Sequence, residues 1–205
     1  MPAGEMWDRR FSEQPWPSEP DPLLVELAGS LPPGRGLDLG SGPGRNSLWL
    51  AAKGWTMTLL DASRVALTQA EAHAKEAGVR IETVHGDVLG WQPTSASYDL
   101  VVVANLHPGT EALSKVLAAA ADALIVGGHL FVVGHDVTNL GRHGPPDPDR
   151  LLSLGRLSEA LPATVSIEVL DLRHRDPDHG TAADPESPDV AVLAWAIRRP
   201  GGQPR

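Results

Sequence analysis

The segment Gly40-Ser41-Gly42-Pro43-Gly44 constrains what this chain can become more than any other stretch of it. It directly follows the short apolar run Gly36–Leu39, and three glycines within five residues let the chain turn sharply while main-chain atoms stay open to a ligand. In an open parallel sheet, the first strand-to-helix turn is the corner that contributes most to a ligand site.

The sequence on either side of the turn supplies the rest of such a sheet. Short runs of branched apolar residues read as strands at Gly36–Leu39, Thr56–Leu60, Arg80–Val84, Asp99–Ala104 and His129–Val133, followed by Thr164–Leu170 and Val190–Ile197. Between them lie helical patterns. Ser47–Lys53 is closed by Gly54; Ser63 caps a helix whose Leu67, Ala70, Ala74 and Ala77 share a face up to Gly78. A third helix, Glu111–Val126, carries the stripe Leu113, Leu117, Ala120 and Leu124 and is expected to stop at Gly127-Gly128. This βα alternation predicts a single-domain α/β fold, a doubly wound, mostly parallel, seven-stranded sheet of Rossmann-like form.

Composition narrows the chemistry. A chain of 205 residues, 41% hydrophobic and 21% charged, suits one globular domain. It contains no cysteine, which removes disulfides, thiolate catalysis and cysteine-ligated metals and agrees with a cytoplasmic location. No apolar run approaches a membrane span, and the N-terminus lacks a signal-peptide block. A net charge of −9 disfavours nucleic acid and anionic lipid as partners, leaving a small-molecule substrate.

The spacing around the turn selects the ligand. A dinucleotide fingerprint needs glycine where this chain has Arg45, so the pattern is G-x-G-x-G rather than G-x-G-x-x-G. Asp38, just inside the strand, suits a ligand bearing an ammonium group. Asp61 ends the next strand 17 positions after Gly44, close to the separation at which an acid meets a ribose diol. Gly86-Asp87-Val88 follows the third strand, where a carboxylate accepts from an adenine amino group. Taken singly, the glycines read as a packing turn, Asp61 as a helix cap and Asp87 as a loop residue; the register of all three with the strands points to a nucleoside carrying an amino acid.

Together LDLGSGPG, Asp61 and Gly86-Asp87 resemble the class I S-adenosylmethionine-dependent methyltransferases over about residues 34 to 136. Gly42-Pro43-Gly44-Arg45-Asn46-Ser47 and the opening Trp7-Asp8-Arg9-Arg10-Phe11 resemble, more narrowly, the tellurite-resistance and thiopurine methyltransferase-like branch. The resemblance implies that Gly40, Gly42 and Gly44 wrap the methionine part of S-adenosyl-L-methionine, with Asp61 on the ribose and Asp87 on the adenine. Asp38, Ser41, Arg45, Ala62, Val88 and Asn105 complete the expected cofactor-binding set. It also implies that residues 1–30 form an arm over the cofactor, with Trp7, Phe11 and Trp16 excluding water, ahead of a methyltransferase domain over 31–199; the terminal residues 200–205 read by themselves as a flexible tail.

The acceptor side is less marked. Asn105-Leu106-His107-Pro108 lacks the prolines and aromatic of enzymes that methylate nucleic-acid bases. His107 and His135 are the candidate catalytic groups, each equally readable as structural. Arg9, Arg10 and Arg45 offer charge for an anion. Histidines and aspartates at His135-Asp136, His143 and His174–His179 match no metal-ligand spacing, so no metal is expected and the last group reads as a solvated loop. The proline-dotted arm is expected to be irregular until Pro22–Ala28. The competing readings are a nucleotide-dependent oxidoreductase and a non-catalytic S-adenosylmethionine-binding protein.

Overall fold

The computed structural model describes residues 3–14, 16–175 and 189–201. Within them seven strands form one sheet: β1 (Arg35–Leu39), β2 (Thr56–Asp61), β3 (Ile81–His85), β4 (Tyr98–Ala104), β5 (Leu124–His135), β6 (Val165–Arg175) and β7 (Asp189–Arg198). Their order is β3-β2-β1-β4-β5-β7-β6, and only β7 runs against its neighbours. The chain winds outward from β1 to β3 and then returns to place β4 on the other side of β1. That reversal opens a crevice beyond the carboxyl ends of β1 and β4.

Alternation along the central strands builds two cores. Leu37, Leu39, Val101 and Val103 face α5 (Thr110–Ala123) and α6 (Leu154–Ala160), whereas Met57, Leu59, Leu100 and Val102 face α2 (Pro22–Ala28), α3 (Arg45–Ala52) and α4 (Arg64–Ala77). Both faces of the sheet are thus covered, which is why these strands read as unbroken apolar runs. Ser63 caps α4 through its hydroxyl, which accepts from the Ala66 amide at 3.1 Å, and Gly78 ends it in the left-handed conformation.

Two expectations fail. The arm is not irregular before Pro22: α1 spans Ala3–Glu13. Residues 3–14 contain no proline, Arg9 and Glu13 pair one turn apart at 2.9 Å, and Trp7 stacks on Phe11 one turn later with ring centres 5.7 Å apart. The third helix also stops early. It ends at Ala123, and Leu124-Ile125-Val126 begins β5 instead, with Leu124 opposite Tyr98. Branched residues favour the strand, and the two glycines that were to stop a helix lie within β5, beside an irregularity in its pairing with β4.

The sequence reads as irregular from Arg175 to Asp189, with a solvated loop over His174–His179. The two ends of that stretch are instead buried, Arg175 closing β6 and Asp189 opening β7, while Asp176, Asp178 and His179 lie outside the described residues, as do 202–205 of the tail.

Candidate active site

Beyond the carboxyl ends of β1 to β4 lies a cleft of about 320 Å³, on the scale of a small-molecule site. Its floor is the glycine turn. Gly40 and Gly42 have φ of 72° and 54°, and a Cβ at Gly42 would sit 3.3 Å from the Phe11 ring, so only glycine fits there without pushing the aromatic wall away. Gly40, Ser41, Gly42 and Arg45 line the cleft, but Gly44 does not. Gly44 is the left-handed N-cap of α3, and a Cβ there would meet Leu59 and Ala70 at 3.0 and 3.2 Å. Its role is close packing of the turn against β2 and α4.

The three acids expected at successive strand ends all line this cleft. Asp38 is buried and accepts from the Ser47 hydroxyl at 2.7 Å. Burial pushes its carboxyl up to about 7, with the hydrogen bond from Ser47 opposing and the nearby Asp61 charge adding to the rise. Asp61 accepts from the Gly42 amide on one oxygen and the Ser63 amide on the other, both at 2.8 Å, tying the glycine turn to the start of α4. Burial raises its pKa as well, against those amide bonds. Asp87 accepts from the Leu89 amide at 2.9 Å. Ala62, Val88 and Asn105 line the cleft beside them.

Helix α1 forms one wall. Trp7, Phe11 and Trp16 line the cleft, with Trp16 edge-on to Phe11 at 4.9 Å. Asp8 anchors α1 to the start of α4, its Oδ1 accepting from the Ser63 hydroxyl at 2.6 Å and the Val65 amide at 3.1 Å. Gly4 allows the close approach: a Cβ on it would lie 2.6 Å from the Ala62 carbonyl oxygen.

The opposite wall comes from the segment after β4. Asn105 takes φ of 53°, a strained setting that favours glycine or asparagine, and its Oδ1 is buried without a hydrogen-bond partner. His107 is buried, and its Nδ1 bonds the Arg150 carbonyl oxygen at 2.8 Å. A carbonyl only accepts, so Nδ1 carries the proton and Nε2 presents a lone pair; Nε2 too is buried without a partner. Burial first, and then the neighbouring His135, lower the His107 pKa to about 3.

His135 does not line the cleft. Its ring stacks on His107 at 5.5 Å, and its Nδ1 lies 2.9 Å from Asp189 Oδ1, so it reaches the site only through His107. Behind it runs a buried network. Asn139 donates to Asp189 at 2.8 Å, Arg175 lies 3.0 Å from Asp189 and 3.1 Å from Asp21, and Arg45 lies 3.9 Å from Asp21. Burial alone would raise the Asp189 carboxyl; the hydrogen bond from His135 and the Arg175 charge prevail and hold it at about 2. Arg45 is thereby engaged with Asp21 and, at 3.4 Å, the Glu19 carbonyl. Among the described residues no three His, Asp or Glu side chains converge as a metal site.

Sequence reading missed Arg150, which lines the cleft, and the partnership of Asp21 and Asp189 with Arg175. No local pattern marks them, because each partner comes from a different part of the chain.

Sheet order, glycine turn and strand-end acids together define the Rossmann-like methyltransferase fold. Residues 37–128 match the family model described as a methyltransferase domain. Over 111 residues it is 32% identical to the ubiquinone biosynthesis O-methyltransferase of Marinobacter nauticus, a match covering 53% of this chain and 45% of that relative's length. Among solved structures, one described for the conversion of a disulfide bond into a thioacetal group during echinomycin biosynthesis superposes with a TM-score of 0.75 at 22% identity, covering 96% of this chain and 92% of the other. TehB from Haemophilus influenzae follows at 0.71 and 18%, covering 87% and 62%. These likenesses establish the fold.

Proposed function

We propose that this chain transfers a methyl group from S-adenosyl-L-methionine to a small-molecule acceptor. The observation that carries the reading is the meeting of Asp38, Asp61 and Asp87 with the glycine turn on one cleft. The donor set suits the cofactor's parts: main-chain groups of Gly40 to Gly42 and the carboxylate of Asp38 for the amino-acid end, Asp61 for the ribose diol, Asp87 for the adenine amino group. Each Asp61 oxygen spends one lone pair on an amide and keeps another for a ribose hydroxyl.

S-adenosylmethionine brings the methyl group already activated on a sulfonium. The chain's share is alignment, exclusion of water and reception of the acceptor's proton. Trp7, Phe11 and Trp16 on the arm exclude water, and the arm is read as a lid over residues 1–30. His107 Nε2, neutral at physiological pH, accepts the hydrogen bond of the incoming nucleophile. An oxygen nucleophile agrees with the name of the Marinobacter relative. A second reading, a sulfur, selenium or tellurium acceptor, draws on the resemblance of Trp7–Phe11 and Gly42–Ser47 to the tellurite-resistance and thiopurine branch.

The test is calorimetric titration of the purified chain with S-adenosylhomocysteine, joined to release of labelled methyl across an acceptor panel. Saturable binding with turnover is the expected result. Absence of binding by folded protein refutes the proposal, and binding without turnover on any acceptor leaves a non-catalytic cofactor-binding protein.

A further inference from the structure

Two arginines from distant parts of the chain stand at this cleft: Arg150 lines it, and Arg10 lies over two of its aromatic walls, Trp7 and Trp16. Arg10, on α1, lies over Trp7 and Trp16, its Cζ 5.4 and 5.6 Å from their ring centres, with its Nε buried and without a hydrogen-bond partner. Arg150, closing the short 3-10 turn Pro148–Arg150, lines the cleft; its Nε donates to the His107 carbonyl, leaving the outer guanidinium nitrogens for other partners. Among the described residues neither arginine forms an ion pair, although the chain as a whole carries a net charge of −9. Burial lowers the Arg10 pKa and the Arg150 charge lowers it further, so the two guanidiniums repel each other. Like charges held together beside aromatic walls, without a carboxylate to balance them, make a place that an anion stabilises.

The neighbouring groups have the opposite demand. His107 Nε2 and Asn105 Oδ1 are buried acceptors lacking a donor, and both residues line the cleft. With Asn105 counted in the cofactor-binding set, a ligand that satisfies His107 and the two arginines must offer an acidic group and an O–H donor. We propose that the methyl acceptor is a hydroxyl-bearing carboxylic acid, its carboxylate held by Arg150 and Arg10 and its hydroxyl directed at His107 Nε2. This rests on the methyltransferase reading and adds the substrate class to it. Arg150 is the specificity-determining residue: through its main chain and its Nε it fixes His107, and through its outer nitrogens it selects the anion.

The experiment titrates the full chain, saturated with S-adenosylhomocysteine, with pairs of probes differing only in the carboxylate: protocatechuate against catechol, gallate against pyrogallol, salicylate against phenol. The acids are expected to bind roughly tenfold or more tightly than their neutral counterparts, the scale of a charge-assisted hydrogen bond. Arg150→Gln and Arg10→Gln should bring that ratio close to unity, and Arg150→Lys should retain part of it. Retained S-adenosylhomocysteine binding in each variant shows that it has folded.

Equal binding of acids and neutral probes, or no binding of any acid, overturns the inference while leaving the methyltransferase reading intact. So does a loss in the arginine variants confined to S-adenosylhomocysteine and absent with methylthioadenosine, because the arginines would then serve the cofactor's own carboxylate. If S-adenosylhomocysteine fails to bind the unaltered chain, the underlying function falls first.

Discussion

His107 and Arg150 hold each other by reciprocal hydrogen bonds: His107 Nδ1 donates to the Arg150 carbonyl oxygen, and Arg150 Nε donates to the His107 carbonyl oxygen, both at 2.8 Å. The pair joins the segment after β4 to the 3-10 turn 43 residues further along and sets the tautomer of the histidine. A ring so held offers Nε2 as an acceptor in one fixed direction.

Replacing that ring should affect turnover more than cofactor binding. His107→Ala is expected to lower the methyl-transfer rate roughly a hundredfold, the scale of a positioned proton acceptor, with the affinity for S-adenosylhomocysteine nearly unchanged. Because His107 titrates near pH 3, the rate should show no histidine-type fall between about pH 6 and pH 8. A pH profile of the rate with labelled cofactor checks both points, and a clear inflection near pH 6.5 would assign the proton to another group.

Asp38 brings a pH dependence of its own. Its folded pKa of about 7 exceeds the ordinary carboxylate value of 3.8, so the folded state binds the extra proton. The stability from this group is complete below pH 3.8 and is lost as pH rises through about 7. His107 acts in the other direction: its lowered pKa makes the fold lose stability as pH falls from its ordinary value of 6.5 toward 3. In chemical denaturation, Asp38→Asn should therefore abolish the loss of stability on the alkaline side of the range, and only that part.

A ligand ammonium group should draw Asp38 into its ionised form. Binding of S-adenosylhomocysteine below pH 7 is then accompanied by proton release, and the affinity rises with pH up to about 7 before levelling. Calorimetry in buffers of different ionisation enthalpy measures the released protons directly. In Asp38→Asn the release should vanish.

Asp61 bridges the Gly42 and Ser63 amides and is the ribose candidate, so its removal acts on the cofactor twice. Asp61→Ala should weaken S-adenosylhomocysteine by roughly tenfold or more. Asp61→Asn keeps the shape while removing an acceptor oxygen, and should fall between it and the unaltered chain. Titration calorimetry ranks the three.

The buried network predicts a stability effect far from the cleft. Asp189→Ala removes the acid that faces Arg175, His135 and Asn139, leaving a buried guanidinium with Asp21 alone. A loss of about 3 kcal/mol or more is expected in urea denaturation, since breaking a buried pair strands a charge. The Asp189 contribution is present above pH 3.8 and disappears as pH falls through about 2, so the difference between the two proteins should shrink in strong acid.

Periodicity and spacing in the sequence were sufficient for the sheet, the order of its elements and the three strand-end acids, because these depend on residues close together along the chain: a strand alternates, a helix repeats, and a turn needs its glycines in place. They were insufficient for α1, where the surrounding prolines outweighed a continuous helical segment, and for the start of β5, where pairing with Tyr98 decided between helix and strand. Local pattern also placed His107 and His135 equally at the site. Tertiary packing separated them, turning one toward the cleft with an unpartnered nitrogen and burying the other against Asp189. The same packing placed Arg150 in the cleft and Arg10, 140 positions away in sequence, over the Trp7 and Trp16 rings that wall it. Burial, pKa and charge balance arise from contacts between distant segments, and the glycine turn that so strongly constrains the fold carries no information about them.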